Sequence, residues 1–567
     1  MEKKQMKQTV TVTYGKNQFE LEFGVTVEQA LVALGCVDSS IVPSYQDNPV
    51  IGAMVNNDLQ PTSARLESDC TLEPVRIFSD LGKRMYRHSI CYLLGCAVAG
   101  LYPDRRLVIG HSLGDGYYYS FDDQYLLSSE DIEQIAKVMR ELAHGNLPIE
   151  RVNIPYGQAM EYFHHRKFEE TEALLSYQNE PTISLYQLNG YWDVTYEPLV
   201  HTTSVLTVWE LKPYGDRGML LRYPRSFDFT QLDTWKDNPL LFSVFKEYKE
   251  WGRILDVESL GKLNKICAAG QIQSFIRMAE SLQAKKITQI ADRITGDSNI
   301  RVVFIAGPSS SGKTTFAQKL CIQLQVVGIR PIKISLDDYY LTREFVPVDE
   351  NGEKDYERLE ALDTAQFQRD LHDLYDGLAV DLPHFDFKQN KRYYTDNPIR
   401  LNRHSILVIE GIHGLNPALV PQIDQETTFR IYISALTQLN LDDHNRISTT
   451  DNRILRRIVR DNRTRGVEAE TTLAMWPSVQ RGENLHIFPY QNNADVMLNS
   501  ALDYELGVLA PFAQPLLKTV KPSAHKAYPL ARRLLAFLEN VYPISESAVP
   551  RDSLLREFIG GSEFDVI

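Results

Sequence analysis

The sequence predicts a multidomain α/β and α+β protein whose C-terminal half is a parallel sheet covered by helices on both faces. Three observations carry this. From Asn299 onward, short apolar runs alternate with helix-period segments, as in a parallel sheet with crossover helices. Before that point, short alternating strands stand apart from the helices, which is the α+β pattern. Between them, residues 307–314 (GPSSSGKT) join the apolar run Arg301–Ala306 to a helical period from Thr315 to Val327 that stops near Gly328.

Taken in order, residues 8–76 hold the strands TVTVTY and FELEF, a helix from Val27 to Leu34, and further strands ending near Ile77. Residues 80–225 hold helical periods at Arg84–Leu101 and Ser129–Leu142, then strand-like stretches at Thr182–Tyr186 and Ser204–Val208. Residues 226–297 are mostly helical by period, Gly270–Ile294 above all, and form a connector. A fourth unit spans 298–545. No repeat at solenoid period and no low-complexity segment interrupts the chain.

The 567 residues, 43% apolar and 24% charged, suffice for three or four domains. A net charge of -14 argues against general binding to nucleic acid or anionic membrane, while a local basic patch stays open. Six dispersed cysteines form no Cys-x-x-Cys pair and read as free thiols. The first residues lack the apolar core of a signal peptide, and Ile90–Tyr102 is too short to span a bilayer. A cytoplasmic protein without a membrane partner is expected.

The GPSSSGKT turn converges backbone N–H groups on phosphates at a helix N-terminus, as a P-loop does. Lys313 reaches the β- and γ-phosphates, and the Thr314 hydroxyl is placed for magnesium. A nucleoside triphosphate follows as ligand. The strand Pro331–Ser335 runs into Leu336-Asp337-Asp338-Tyr339-Tyr340, placing carboxylates where α/β sheets bind ligands. One of the pair can take a proton from a hydroxyl or hold hydrated magnesium; capping a turn is the plainer use. The strand Ser405–Gly411 brings Glu410 to the Walker B place, near the magnesium. Arg453, Arg456, Arg457 and Arg460, spaced three and four apart, share a helix face, either solvated or closing as a lid on phosphate. No Asn-Lys-x-Asp guanine-reading segment is present, since Asn264-Lys265-Ile266-Cys267 has the wrong fourth residue, so a GTPase is disfavoured.

Residues 299 to about 500 resemble the uridine kinase family, P-loop kinases related to phosphoribulokinase. The matching stretches are GPSSSGKTT at 307–315, ISLDDYY at 334–340, DYERLEALD at 355–363, LPHFDF at 382–387, LVIEGIH at 407–413 and DNRILRRIVRDNRTRG at 451–466. The resemblance implies ATP-dependent phosphorylation of a nucleoside 5′-hydroxyl, of uridine or cytidine first, with Mg2+. It implies ATP binding by Gly307, Pro308, Ser309, Ser310, Ser311, Gly312, Lys313, Thr314 and Thr315, and magnesium at Thr314 and Glu410. Asp337 would be the base, acting with Lys313, Arg457, Arg460 and Arg465. Tyr340, Glu357, Phe385, Arg457 and Arg465 would hold the nucleoside together with Asp337. Asn390 stands where the family's animal members have a base-contacting His, and Val467 replaces a further Arg. The alternatives are another small alcohol as acceptor, or an RNA-binding protein with a nucleotide switch.

Residues 8–76 resemble the ubiquitin-like TGS module, and 80–225 resemble the editing domain of threonyl-tRNA synthetase. RHSICYLLGCAVAGLYP at 87–103, GDGYYYSFD at 114–122, 128–154 and YWDVTYEPLVHTTS at 191–204 carry the second likeness. That domain's His-x-x-x-His and Cys-x-x-x-His pairs read here as His88 with Tyr92 and Thr195 with Leu199. Three of four polar positions are changed, so the editing chemistry is expected to be lost. A relic that binds tRNA or other RNA, a sensor of a small ligand, or a structural partner of the kinase remain the alternatives. The oligomeric state stays open.

Overall fold

The computed structural model describes residues 9–564 except 39, 41, 115, 124, 226–228, 350, 351, 353, 387 and 388. Gln8 and Ser226, where units are expected to open, and Asp115 and Phe387 of the quoted stretches lie outside the described residues.

The first sheet has the order Asn17–Glu22, Thr9–Tyr14, Cys70–Arg76, Val50–Val55, Asp58–Pro61. Its first and last long strands pair in parallel between two hairpins. Helix Val27–Ala33 starts at a capping box of Thr26 and Gln29 and buries Val27, Ala30 and Leu31 against Val10, Val12 and Leu72.

Helix Asp80–Leu101 follows, with a three-stranded antiparallel sheet (Glu150–Pro155, Thr182–Leu188, Tyr191–Asp193) and a four-stranded one ordered Glu210–Tyr214, Gly218–Arg222, Gly116–Phe121, Leu107–Ser112. The strand expected at Ser204–Val208 does not form. Thr203–Val205 is a 3-10 turn, and the Tyr86 hydroxyl both accepts from the Val208 amide at 3.0 Å and donates to its carbonyl at 2.9 Å. One side chain thus supplies the bonds a neighbouring strand would have given.

The second half is a five-stranded parallel sheet ordered Arg330–Ser335, Ser405–Glu410, Val302–Ala306, Thr428–Ser434, Val496–Asn499. Alternation splits its central strand between two cores. Val303 and Ile305 pack with helices Ile272–Gly296, Lys313–Val326 and Thr449–Arg465, while Val302 and Phe304 pack with helix Thr364–Tyr375. No described helix is long and apolar enough to cross a membrane.

The two halves interlock. Asp443, on the loop between Thr428–Ser434 and the arginine-rich helix, accepts the amide and hydroxyl of Thr171 at 2.9 Å each and lies 3.3 Å from Arg106. Asn440 donates to the Ile109 carbonyl at 2.8 Å.

Candidate functional site

The loop between strand Val302–Ala306 and helix Lys313–Val326 is shaped from within and clamped from outside. A Cβ on Gly307 would stand 2.1 Å from the Ile433 carbonyl oxygen, so only glycine fits. Gly312 and Ser310 have φ of 84° and 58°, and for Ser310 this left-handed state costs on the order of 1–3 kcal/mol unless neighbours impose it. Those neighbours are arginines. Arg453 donates to the Ser309 carbonyl at 2.8 Å, Arg457 to the Ser309 hydroxyl at 3.1 Å, and Arg456 to the Ser310 carbonyl at 3.3 Å. The Ser309 amide donates to Glu483 at 3.2 Å.

Neither expectation for the basic face fits Arg453 and Arg456. Both are buried, Arg453 paired with Glu483 and Arg456 with Glu505 at 2.5 Å, so they are neither solvated nor able to close on phosphate. Arg457, Arg460 and Arg465 gather instead on the Asp461 carboxylate at 3.3, 2.8 and 3.7 Å. Burial alone would raise the Asp461 pKa, but Arg460, Arg465 and Arg457 outweigh it and hold it below the ordinary value.

The residues present fit a triphosphate and magnesium. The Ser310 and Ser311 hydroxyls are buried in the loop without a hydrogen-bond partner, and the Lys313 ammonium folds onto the Gly307 and Pro308 carbonyls at 3.0 and 3.2 Å. Unpaired buried donors in a glycine-lined turn suit phosphate oxygens. The Thr314 and Ser335 hydroxyls both donate to one Glu410 oxygen, at 3.3 and 3.2 Å. Burial first, and then Asp337, push the Glu410 carboxyl up to about 7 against Lys313 and Lys333. Thr314 and Glu410 are few ligands, but magnesium takes the rest of its shell from water and phosphates. Among the described residues no group of three or more His, Cys, Asp or Glu could hold a metal.

Thr315 is placed differently from the other nucleotide-contacting candidates. Its amide and hydroxyl both donate to the Glu557 carboxylate, at 3.2 and 2.8 Å, so its polar groups are engaged by the C-terminal segment.

Across the cleft, Asp337 and Asp338 lie in the turn Leu336–Tyr339. The Asp337 carboxyl reaches solvent on the cleft floor; the enclosing walls push its pKa up, while Lys313, Arg465 and Arg460 pull it down. Asp338 has a structural partner: it accepts the Phe385 amide at 3.0 Å and so fixes the hairpin His384–Asp386 with Lys391–Tyr393. Asn390, at the turn of that hairpin, has φ of 51°, a left-handed conformation that asparagine tolerates well.

Tyr340 meets Tyr356 and Phe385 edge-on at 6.1 and 6.4 Å, and its hydroxyl donates to the Tyr356 carbonyl at 3.1 Å. Beside it, the Glu357 carboxyl has one buried oxygen without a partner. Burial and then Glu483 push its pKa up to about 7, against Arg457, Lys313 and Arg453. Tyr340 in turn feels the charges of Asp337, Glu357 and Arg457. The fold thus gathers Lys313, Asp337, Tyr340, Glu357, Phe385, Glu410, Arg457, Arg460 and Arg465 around one cleft. Glu483, Asp461 and Glu557 were not among the candidates. Only Asp461, four residues from both Arg457 and Arg465, had a spacing that could have pointed to it.

In the N-terminal half, the Tyr92 hydroxyl donates to the Tyr186 and Tyr191 carbonyls at 2.7 and 3.1 Å, and its pKa is pushed up by burial. Thr195 donates to the Glu197 carbonyl at 2.7 Å and Leu199 is fully buried. Burial first, and then Arg87, hold His88 well below its ordinary pKa.

Residues 302–506 match the Phosphoribulokinase / Uridine kinase family. The N-terminal region is similar to threonine–tRNA ligases: 30% identical over 158 residues to that of Acetivibrio thermocellus and 32% over 182 residues to that of Burkholderia multivorans. These cover 28% and 32% of this chain and 25% and 28% of the ligases, so the chain spans about a quarter of their length. A Bacillus stearothermophilus structure described as a possible uridine kinase aligns over 38% of this chain and 98% of its own, at 18% identity and a TM-score of 0.27.

Proposed function

We propose that the chain transfers the γ-phosphoryl group of ATP to a hydroxyl of a small alcohol, and that the acceptor is a nucleoside 5′-hydroxyl, of uridine or cytidine. The observation that carries the acceptor is the unpartnered, buried oxygen of Glu357 beside the Tyr340–Phe385 rings. A ribose supplies hydroxyl donors for that oxygen, and a base supplies a flat face for the rings. Magnesium ATP supplies the electrophilic phosphorus and neutralises its charge. The chain does the rest by positioning and charge. Lys313 and the loop amides hold the donor end. Arg457, Arg460 and Arg465, gathered on Asp461, set positive charge along the cleft. Asp337, free of a structural hydrogen bond among those described and facing the cleft, takes the proton from the acceptor hydroxyl. The N-terminal half serves binding or regulation.

The test is a panel of uridine, cytidine, adenosine and ribulose 5-phosphate with ATP and magnesium. Turnover of a pyrimidine nucleoside, reduced at least about a hundredfold in Asp337→Asn, is expected. Turnover of the sugar phosphate alone would replace the nucleoside, and equal loss in Asp338→Asn with none in Asp337→Asn would move the base by one residue.

A further inference from the structure

A cleft of about 600 Å³ lies between helix Asp80–Leu101 and the start of helix Thr449–Arg465, with residues 525–537 as a third wall, and it reaches Trp476, whose far neighbours Arg453 and Arg457 hold the P-loop. A volume of this order suits a small molecule. Although the chain carries a net charge of -14, seven lysines and arginines and only four carboxylates line the cleft. Three of those carboxylates already have cations. Asp193 pairs with His444 at 2.8 Å, Glu197 with Arg84 and Arg533 at 3.1 and 3.5 Å, and Asp451 with Arg533 at 2.5 Å.

Among the described residues three lining guanidinium groups, Arg87, Arg225 and Arg446, have no carboxylate within ion-pair distance, and Arg225 is taken by the Gly114 carbonyl. Arg87, from the N-terminal half, makes no hydrogen bond among the described residues, and its Nε is buried. It lies 6.0 Å from the Tyr117 ring. Arg446, from the second half, lies 5.6 Å from the same ring and donates to His111 at 2.9 Å; burial and then Arg446 keep that imidazole neutral. Two like charges converging on one tyrosine repel each other, and an anion between them removes the penalty. Tyr117 packs edge-on against Tyr223 at 5.5 Å, and both rings face the cleft.

We infer that this cleft is a binding site for a small phosphomonoester carried on a ring, its dianion bridging Arg87 and Arg446 and its ring lying against Tyr117 and Tyr223. A dianion matches the two unpaired cations, and forked donors suit phosphate oxygens. The site draws one arginine from each half, so neither half holds it alone. It does not depend on which alcohol the P-loop half phosphorylates.

The probe is phenyl phosphate, titrated calorimetrically into the full chain with magnesium and the β,γ-imido analogue of ATP present to fill the P-loop. One saturable site is expected, with benzoate at least tenfold weaker and phenol silent. Arg87→Gln and Arg446→Gln, checked for unchanged melting, should each weaken binding about tenfold or more, the scale of one charge-assisted bond. Arg460→Gln, in the kinase cleft, should leave it unchanged. Absence of saturable binding, or binding that survives both cleft substitutions, overturns the site. Benzoate binding as tightly as phenyl phosphate overturns the dianion, and loss in Arg460→Gln places the probe in the kinase cleft instead. Because binding is read rather than turnover, failure here leaves the proposed reaction untouched.

Discussion

Ser309 shows how much of the phosphate loop is held by residues outside it. Its amide, carbonyl and hydroxyl are bound by Glu483, Arg453 and Arg457. Replacing Arg453 by Met should leave Glu483 as a buried, unpaired charge, at a cost of about 3–5 kcal/mol. A denaturant titration should show that loss, and the double variant Arg453→Met/Glu483→Leu should recover most of it while ATP affinity stays reduced in both. Full recovery of ATP affinity in the double variant would mean the clamp does not shape the loop. The GPSSSGKT turn was legible because its chemistry is local and its spacing fixed. Arg453 and Arg457 were not separable by sequence: one turn apart on a helix, they differ only through Glu483 and Asp461, and Glu483 is thirty residues away. Glu357 was legible only through resemblance, since nothing in its neighbours announces an unpartnered carboxyl.

At the scale of elements, the long periodic helices and the apolar parallel strands were readable. Segments whose bonds come from afar were not. Ser204–Val208 has the composition of a strand, yet Tyr86 satisfies Val208 and the stretch turns. Helices Tyr156–His165 and Glu169–Leu175 are too short for a period to stand out. The C-terminal segment is the least legible of all. Arg463 donates to the Glu557 and Phe558 carbonyls at 3.0 and 3.2 Å, Leu554 fills the space above Gly312, and Glu557 caps Thr315. Glu557→Ala should strand the Thr315 amide and hydroxyl and lower stability by about 1–3 kcal/mol. Thermal unfolding of the variant is the check; an unchanged midpoint would show the contact to be dispensable.

At the scale of the molecule, Asp442, Asp443 and His444 hold the halves together, and all three bind protons more tightly folded than unfolded. Burial, then Asp193, push Asp442 up to about 7, and burial pushes Asp443 up to about 6. Burial would lower His444, but Asp193 outweighs it and brings it up to about 9. Groups with raised folded values contribute stability at low pH and lose it as pH rises through those values. Lowered carboxyls such as Asp461 act only in acid. The lowered His88 and His111, however, add stability as pH rises toward about 7, and Lys249, brought down to about 8 by burial, adds it above that, so the seam is read as a difference from a seam variant. The melting midpoint of the wild type measured relative to that of Asp442→Asn should therefore fall from pH 6 to pH 9; a relative midpoint that rises would refute the account. Contacts that join residues hundreds of positions apart leave no period or motif, so this seam had no signature in the chain. The helix Thr449–Arg465 runs from that seam to the P-loop cleft: Asp451, in its first turn, is tied to Arg533, and Arg465, in its last, sits within the field of Asp337. Its seventeen residues make a rod of about 25 Å. The rod joins the two sites, and closure of the thermodynamic cycle makes any coupling along it two-way. Whatever factor an occupant of the seam applies to affinity at the P-loop, the P-loop ligand returns to the occupant, so sender and receiver are interchangeable.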